Sequence, residues 1–221
     1  MRDTHRLYEN NALDCYREDP QHERMKLYFN PLACSLAARI ALYETGKIAE
    51  LVEVDSKTKR TSDGRDFRTV NPLGLVPTLE LDDGSVLTEN AAVLQLLATH
   101  PTTPKLQQWL SFIGTELHKQ FVPLLDKTAP PEVKAYAEGK VRSRLAHANE
   151  HLAAQPYLLG EFSVADGYLF AVLNWTAVVT VKLAEYPALA AFHARMLGRP
   201  AVARAFEEER ALYLEELKRA S

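Results

Sequence analysis

"MKLYFNPLACSLAARIALYETG", residues 25–46, decides the fold, because it joins a strand, a turn and a helix in one short stretch. "KLYF" is a run of β-forming residues and Asn30-Pro31 a turn. Ser35 to Thr45 then carries apolar residues at 36, 37, 40 and 41, with Gly46 as the helix stop. Beyond Gly46, "ELVEVD" (50–55) alternates as a second strand, and a charged segment containing Asp63-Gly64 follows. "VPTLEL" and "SVLT", separated by "DDG", read as two strands joined by a tight turn. "ENAAVLQLLATH" reads as a helix capped by Thr88 and ended before Pro101 and Pro104. A β-α-β unit makes a parallel pair with a right-handed crossover, and the hairpin adds antiparallel strands. Residues 25–100 are therefore expected to form a small mixed four-stranded sheet with helices.

After Pro104 the strand signals stop. "LQQWLSFIGTELHKQFVPLL", "VKAYAEGKVRSRLAHANEHLAA", "VADGYLFAVLNWTAVVTV", "PALAAFHARMLGR" and "PAVARAFEEERALYLEELKRA" all read as helices. The expected fold class is thus α/β plus all-α, with an all-helical domain over residues 105–221. Residues 1–24 show no sustained period and are expected to be an N-terminal extension outside both domains.

The chain has 221 residues, 47% of them hydrophobic and 25% charged, as in a globular protein able to bury a core. Its 26 Lys and Arg against 29 Asp and Glu give a formal charge of −3. The basic residues are scattered rather than striped, which excludes a nucleic-acid partner. No run of about 18 apolar residues and no apolar leader is present, so neither a membrane partner nor secretion is expected, and the location is expected to be cytoplasmic. Two cysteines, Cys15 and Cys34, make no disulfide framework and point to free thiols.

Read as residues alone, the chemistry-bearing side chains leave alternatives open. Cys34 stands just before a helix, where unpaired N–H groups and the helix dipole favour a thiolate; free cysteine is equally at home as a small buried hydrophobe. Ser35 suits the helix N-cap, Tyr28 a half-buried strand position, and Lys59 a solvated surface. Val76-Pro77 is trans by base rate. Thr88 as cap and Glu89 as dipole complement account for both residues. Ser163-Val-Ala-Asp166 is a capping-box pattern, and "FEEERALYLEEL" a solvated amphipathic face. His147 and His151 have the spacing of a helical zinc pair, but no Glu follows His147 and no third ligand is placed, so no metal is expected.

The element order and four stretches, "MKLYFNPLACSLAARIALYETG", "VNPLGLVPTLELDDGSVLTENAAVLQLLA", "WLSFIGTELHKQF" and "FSVADGYLFAVLNW", resemble the cytosolic glutathione transferases, in particular the bacterial beta class. The resemblance covers most of residues 25–205. It implies an N-terminal thioredoxin-like domain that binds glutathione as a substrate, and a helical domain that holds a small hydrophobic electrophile. Cys34, Ser35 and His118 would be the catalytic residues, with Cys34 beside the glutathione sulfur and His118 stabilising its thiolate. Lys59 would meet the glycine carboxylate. Leu75, Val76 and Pro77 would meet the cysteinyl backbone across a cis Val76-Pro77 bond. Glu89 would hold the γ-glutamyl ammonium and Asn90 its carboxylate. Tyr28, Ala33 and Trp175 would line the electrophile pocket.

Arg39 stands where the family often has a histidine, and Asn90 where serine or glycine is usual. The connection between "AAVLQLLATH" and "QQWLSFIGTELHK" is shorter than the family's by roughly a dozen residues, about three helical turns. The resemblance therefore implies a homodimer with an altered interface. A cysteine at this place also opens thiol–disulfide exchange through Cys34. The same motifs would serve a glutathione-dependent isomerase, dehalogenase or lyase, and the fold also serves non-catalytic binding or regulatory proteins.

Overall fold

A computed structural model describes residues 25–219; the expected extension over 1–24, with Cys15, lies outside the described residues. Strands β1 (Met25–Phe29), β2 (Ala49–Glu53), β3 (Thr78–Glu80) and β4 (Val86–Thr88) form a four-stranded sheet in the order β2-β1-β3-β4. β1 pairs parallel with β2, Leu27 opposite Leu51, and antiparallel with β3, Leu27 opposite Leu79. The parallel pair requires a crossover, and α1 (Leu36–Thr45) makes it before Gly46 stops the helix at φ 71°.

Alternation along β1 sorts its side chains onto two faces. Met25, Leu27 and Phe29 join the main core beneath α1. Tyr28 points the other way, into a separate cluster with Val52, Val54 and Phe67, and its ring lies 5.2 Å from that of Phe67. Its hydroxyl donates to Glu80 at 2.7 Å, and burial pushes the phenol up to about 12. Tyr28 is thus a fully buried strand residue, and the expectation that it lines the electrophile pocket is corrected by the period of the strand.

α1 is buried on nearly every side because it lies between the sheet and the helical half. It packs against α6 (Val164–Leu173), where Gly167 permits close approach: a Cβ there would stand 3.3 Å from Ile40 Cγ2. The Asp166 carboxylate accepts from the Ser163 N–H at 2.8 Å and the Leu158 N–H at 2.9 Å, which makes the capping-box reading a structural fact. α6 ends at Leu173 instead of running on to Val181 as the sequence suggested. Asn174 and Thr176 turn their side chains back onto the Phe170 and Leu173 carbonyls, and the β-branched run that follows favours no helix.

The second half also comprises α3 (Pro104–Ser111), α4 (Lys119–Leu125), α5 (Pro131–Ala153), α7 (Pro187–Leu197) and α8 (Pro200–Arg219). A π-helical turn, Phe112–His118, joins α3 to α4. The acidic run on α8 is not wholly solvated: Glu209 is fully buried, and its Oε2 accepts the Leu32 N–H at 2.8 Å. One carboxylate turns inward because α8 packs against α1, where the buried Arg39 stands 3.7 Å from Glu209 Oε1. No helix among the described residues is long and apolar enough to cross a membrane.

Candidate active site

A cavity of about 510 Å3 opens between the sheet half and the α3–α4 helix. Its first wall is made of turns and element ends: Ala33 and Cys34 before α1, Lys59 after β2, Leu75 to Pro77 before β3, and Glu89 and Asn90 at the start of α2 (Asn90–Leu97). Its second wall is one helical surface, with Leu110, Ser111, Thr115, His118, Lys119 and Val122, backed by Tyr168 of α6.

Cys34 is buried, and its S–H donates to the Val76 carbonyl at 3.3 Å. Burial pushes the thiol up to about 12, against the pull of its own backbone N–H and of the Lys119 charge. The expectation of a helix-stabilised thiolate is therefore corrected. The N–H groups of Leu36, Ala37 and Ala38 are spent on the carbonyls of Ala33, Cys34 and Ser35, at 3.0 to 3.2 Å, so they do not solvate the sulfur.

Ser35 is corrected too. Its backbone is already helical, and its hydroxyl donates to the Asn30 carbonyl and accepts the Asn30 N–H, both at 3.2 Å. It is fully buried behind the turn, away from the cavity, and neither caps α1 nor faces a ligand. Its work is to close the Asn30–Ser35 turn that sets Cys34.

The β3 side of the wall is pinned from within. Asn71 Nδ2 donates to the Leu75 carbonyl at 2.9 Å and to Thr78 Oγ1 at 3.0 Å, and its Oδ1 accepts the Leu73 N–H at 3.1 Å. Val76-Pro77 is cis, as the resemblance implied. Lys59, at φ 58°, runs its aliphatic stem over Gly74, whose missing side chain makes the room.

Glu89 rather than Thr88 holds the N-cap of α2, because Thr88 is still paired in β4. The amides of Ala92 and Val93 close onto the Glu89 carbonyl, each at 3.0 Å, while those of Asn90 and Ala91 have no acceptor inside the helix and stand at the cavity. Asn90 itself is buried, and its Nδ2 donates to the Cys34 carbonyl at 2.8 Å. One N–H of this amide is thus committed to backbone, and the N–H groups at the start of α2 stand beside it at the cavity.

On the second wall, His118 ends the π turn with Nδ1 at 2.8 Å from the Tyr168 hydroxyl. Burial, with the neighbouring Lys119 charge, brings the imidazole down to about 4, so the ring is neutral at neutral pH. Trp175 lies behind His118, edge-on at 4.9 Å, and donates its Nε1–H to the Leu32 carbonyl at 3.0 Å. It braces the Cys34 turn and does not reach the cavity, because the chain leaves the α-helical path at Asn174; its assignment to the electrophile pocket is corrected, while Ala33 does line the cavity.

The structure adds Lys119, Tyr168, Asn71 and Glu209 to the expected set. Lys119 and Tyr168 stood in quoted motifs beside His118 and Asp166, but spacing alone marked neither as facing a cavity. Arg39 is buried behind the turn, over the Phe29 ring at 4.8 Å, and contributes nothing to the cavity surface. His147 and His151 flank the Trp109 ring, at 6.0 and 4.5 Å. Among the described residues no group of three or more His, Cys, Asp or Glu could hold a metal ion.

A four-stranded mixed sheet with a buried cysteine before its first helix, joined to an all-helical half, defines the class of two-domain proteins with a thioredoxin-like first half. Residues 33–100 match the model of the glutathione S-transferase N-terminal domain, and residues 112–200 that of the C-terminal domain. Glutathione S-transferase GstA of Escherichia coli O157:H7 is 41% identical over 198 residues, 84% of this chain and 98% of its own. Two solved structures superpose closely. A sphingomonad glutathione S-transferase complexed with glutathione has 43% identity, a TM-score of 0.79, and coverage of 83% of this chain and 98% of its own. The beta-class enzyme of Sphingomonas chungbukensis has 42% identity, a TM-score of 0.79 and the same coverage. This chain belongs to the glutathione S-transferase family of enzymes, and its structural neighbours include bacterial beta-class members.

Proposed function

We propose that the cavity binds glutathione and activates its thiol for attack on a small hydrophobic electrophile. The observation that carries this reading is a convergence on one cavity: Cys34, His118 and Lys119, beside the peptide edge at Val76. A tripeptide thiol suits that arrangement. Val76 offers its backbone to the cysteinyl residue, as a short strand addition. Lys59 attracts the glycine carboxylate. Glu89 meets the γ-glutamyl ammonium, and the first amides of α2 meet its carboxylate. That a sphingomonad relative is a complex with glutathione supports the choice of ligand.

In this pose the glutathione sulfur lies beside Cys34, which stands 3.3 Å from the Val76 carbonyl. Hydrogen-bond donors and the Lys119 charge stabilise its thiolate, and the electrophile rests against Ala33, Leu110 and Val122. The thiol loses its proton to solvent as the thiolate forms, and a new S–C bond then forms as the electrophile's leaving group departs with its electron pair. The protein supplies position and charge rather than a covalent intermediate.

Thiol–disulfide exchange is the slower companion activity in this proposal, because the thiolate is the attacking form and Cys34 is held as a thiol. There Cys34 sulfur attacks a glutathione mixed disulfide, bonds to the glutathione sulfur and releases the other thiol with the Cys34 proton. A second glutathione then leaves as the disulfide and returns a proton to Cys34. We further propose a cytoplasmic homodimer whose interface is altered at the short 98–103 connection; light scattering that returns a monomer overturns the assembly.

Parallel assays of wild type and Cys34→Ser test the reading. Conjugation to an activated aryl halide should fall by less than about tenfold, since serine still donates a hydrogen bond, while mixed-disulfide reduction should drop to background. Equal loss of both would make Cys34 the nucleophile in conjugation as well. Failure of wild type to be retained on immobilised glutathione would favour the non-catalytic alternative, and a substrate profile without aryl halides an isomerase, dehalogenase or lyase.

A further inference from the structure

The hydroxyl of Tyr168 is buried between the two halves, 2.8 Å from His118 Nδ1 and beside the Asn90 amide. We propose that Tyr168 is a positioning residue whose O–H donates to His118 Nδ1, locking the imidazole with its proton on Nε2, so that His118 meets the substrate sulfur as a donor and not as a base. The inference rests on the reading of the cavity as a thiolate site and assigns a role to a side chain on which that reading does not depend.

Hydrogen-bond accounting fixes the direction of the bond. The Cys34 carbonyl can only accept, so the Asn90 group 2.8 Å from it is the amide nitrogen, which settles the orientation of that side chain. Asn90 Oδ1 then has no hydrogen-bond partner among the described residues, and it does not receive the tyrosine proton. The opposite wall near the hydroxyl is Gly114, which presents no side chain; even a Cβ there would stand 3.6 Å away. His118 Nδ1 is left as the acceptor. The reverse arrangement, with Nδ1–H donating to the phenol, would leave the tyrosine proton without an acceptor among the described residues, a cost that the proposed arrangement avoids.

Protonation states agree with the geometry. Burial raises the phenol far above its usual range, and the acidic groups of Cys34 and Glu89 add to the rise, so Tyr168 keeps its proton. The imidazole, brought down to about 4, stays neutral and has one proton to place. The ring cannot easily turn to escape: Tyr168 stands edge-to-face with it, at 88° between planes, and the Trp175 edge closes the other side at 4.9 Å. The π turn matters here as well. It ends on His118, and such turns are frequent at functional sites. A chain of polar contacts thus links the Cys34 carbonyl, Asn90, Tyr168 and His118 across the boundary between the halves.

The test is a tautomer measurement. Two-bond proton–nitrogen spectra of the imidazoles, with His118→Gln identifying the signal, should show wild-type His118 as a single neutral Nε2–H form from pH 6 to pH 8. Tyr168→Phe keeps the ring and removes the hydroxyl; it should give a mixture of both neutral tautomers. In conjugation its kcat should fall about tenfold with the KM for glutathione within about twofold, the loss expected of one hydrogen bond in the transition state. An Nδ1–H or imidazolium form in wild type overturns the proposal, whatever the variant does. So does an unmixed Nε2–H form in Tyr168→Phe. If wild type neither binds nor turns over glutathione, the function proposed above fails while the tautomer result still stands or falls separately.

Discussion

The wall that carries Cys34 and the wall that carries His118 use the chain in opposite ways. The first offers backbone groups at the ends of α1, α2 and β3, each held by a buried side chain bonded to the backbone: Ser35, Asn71, Asn90 and, from α8, Glu209. The second offers side chains from one continuous helix, braced by Tyr168 and Trp175. A wall of backbone suits a constant, peptide-like ligand, because it depends little on which side chains evolve there. A helix face suits a variable one, because each residue can change without moving the frame. Substitutions should separate the two: support residues of the first wall should affect stability and glutathione, and those of the second turnover and electrophile.

The largest effect is expected behind the first wall. Glu209→Ala leaves the Leu32 N–H buried without its acceptor and the Arg39 guanidinium with only Glu208, 3.6 Å away, and should cost about 2–3 kcal/mol in urea unfolding. Arg39→Met combined with Glu209→Leu should recover only the share due to the Arg39 charge, since the Leu32 N–H still lacks its acceptor; a cost under about 1 kcal/mol for Glu209→Ala would mean that α8 does not hold the turn. Next, His118→Ala should lower kcat about a hundredfold with the KM for glutathione within about twofold. A dominant rise in that KM would place His118 in glutathione binding and blur the division between the walls.

Asn90→Ala removes one of the two donors to the Cys34 carbonyl, leaving the Ala37 N–H, a loss of roughly 1 kcal/mol that should weaken glutathione binding about fivefold by calorimetry. Val122→Ala, at a half-exposed position on the second wall, should shift the KM for the electrophile by no more than about threefold and leave that for glutathione as it is. The smallest effect is on pH. His118 binds its proton near 6.5 when unfolded and only near 4 when folded, so stability is complete above the unfolded value and falls as pH drops through that window. Between pH 7 and 6 the loss is roughly 0.7 kcal/mol, and His118→Gln should remove it from the urea midpoints. Asp166 and Glu209, raised by burial to about 6 and about 8, act with the opposite sign, losing stability as pH rises. Glu209→Gln should accordingly flatten the alkaline side.

Much of the first wall was legible because its parts are local. Strand, turn, cysteine and helix lie within 25–46, and each strand with its alternation could be read from neighbouring residues. That alternation even held the answer for Tyr28, which sits between Leu27 and Phe29 and must therefore face away from both. Of the second wall, only His118 was legible, and through resemblance. A helical period places Ser111, Thr115 and Val122 on some face without saying which neighbour it meets, and the π turn changes the register at the point where His118 is aimed. Glu209 was misread for the same reason: an acidic run looks solvated until the packing of α8 on α1 turns one carboxylate inward.

By itself, then, the sequence determined the order of elements, the mixed sheet, the helical second half and the neighbourhood of Cys34, since these follow from short-range periodicity, turn chemistry and capping. The tertiary structure alone decided that Cys34 is a thiol, that the Asn90 side chain is spent on backbone, and that His118 is neutral and bonded to Tyr168. Protonation and hydrogen-bond commitment depend on desolvation by residues 42 to 56 positions away, such as Val76 above Cys34, Tyr168 against His118 and Asn90 beneath the Cys34 carbonyl, and no local pattern records them.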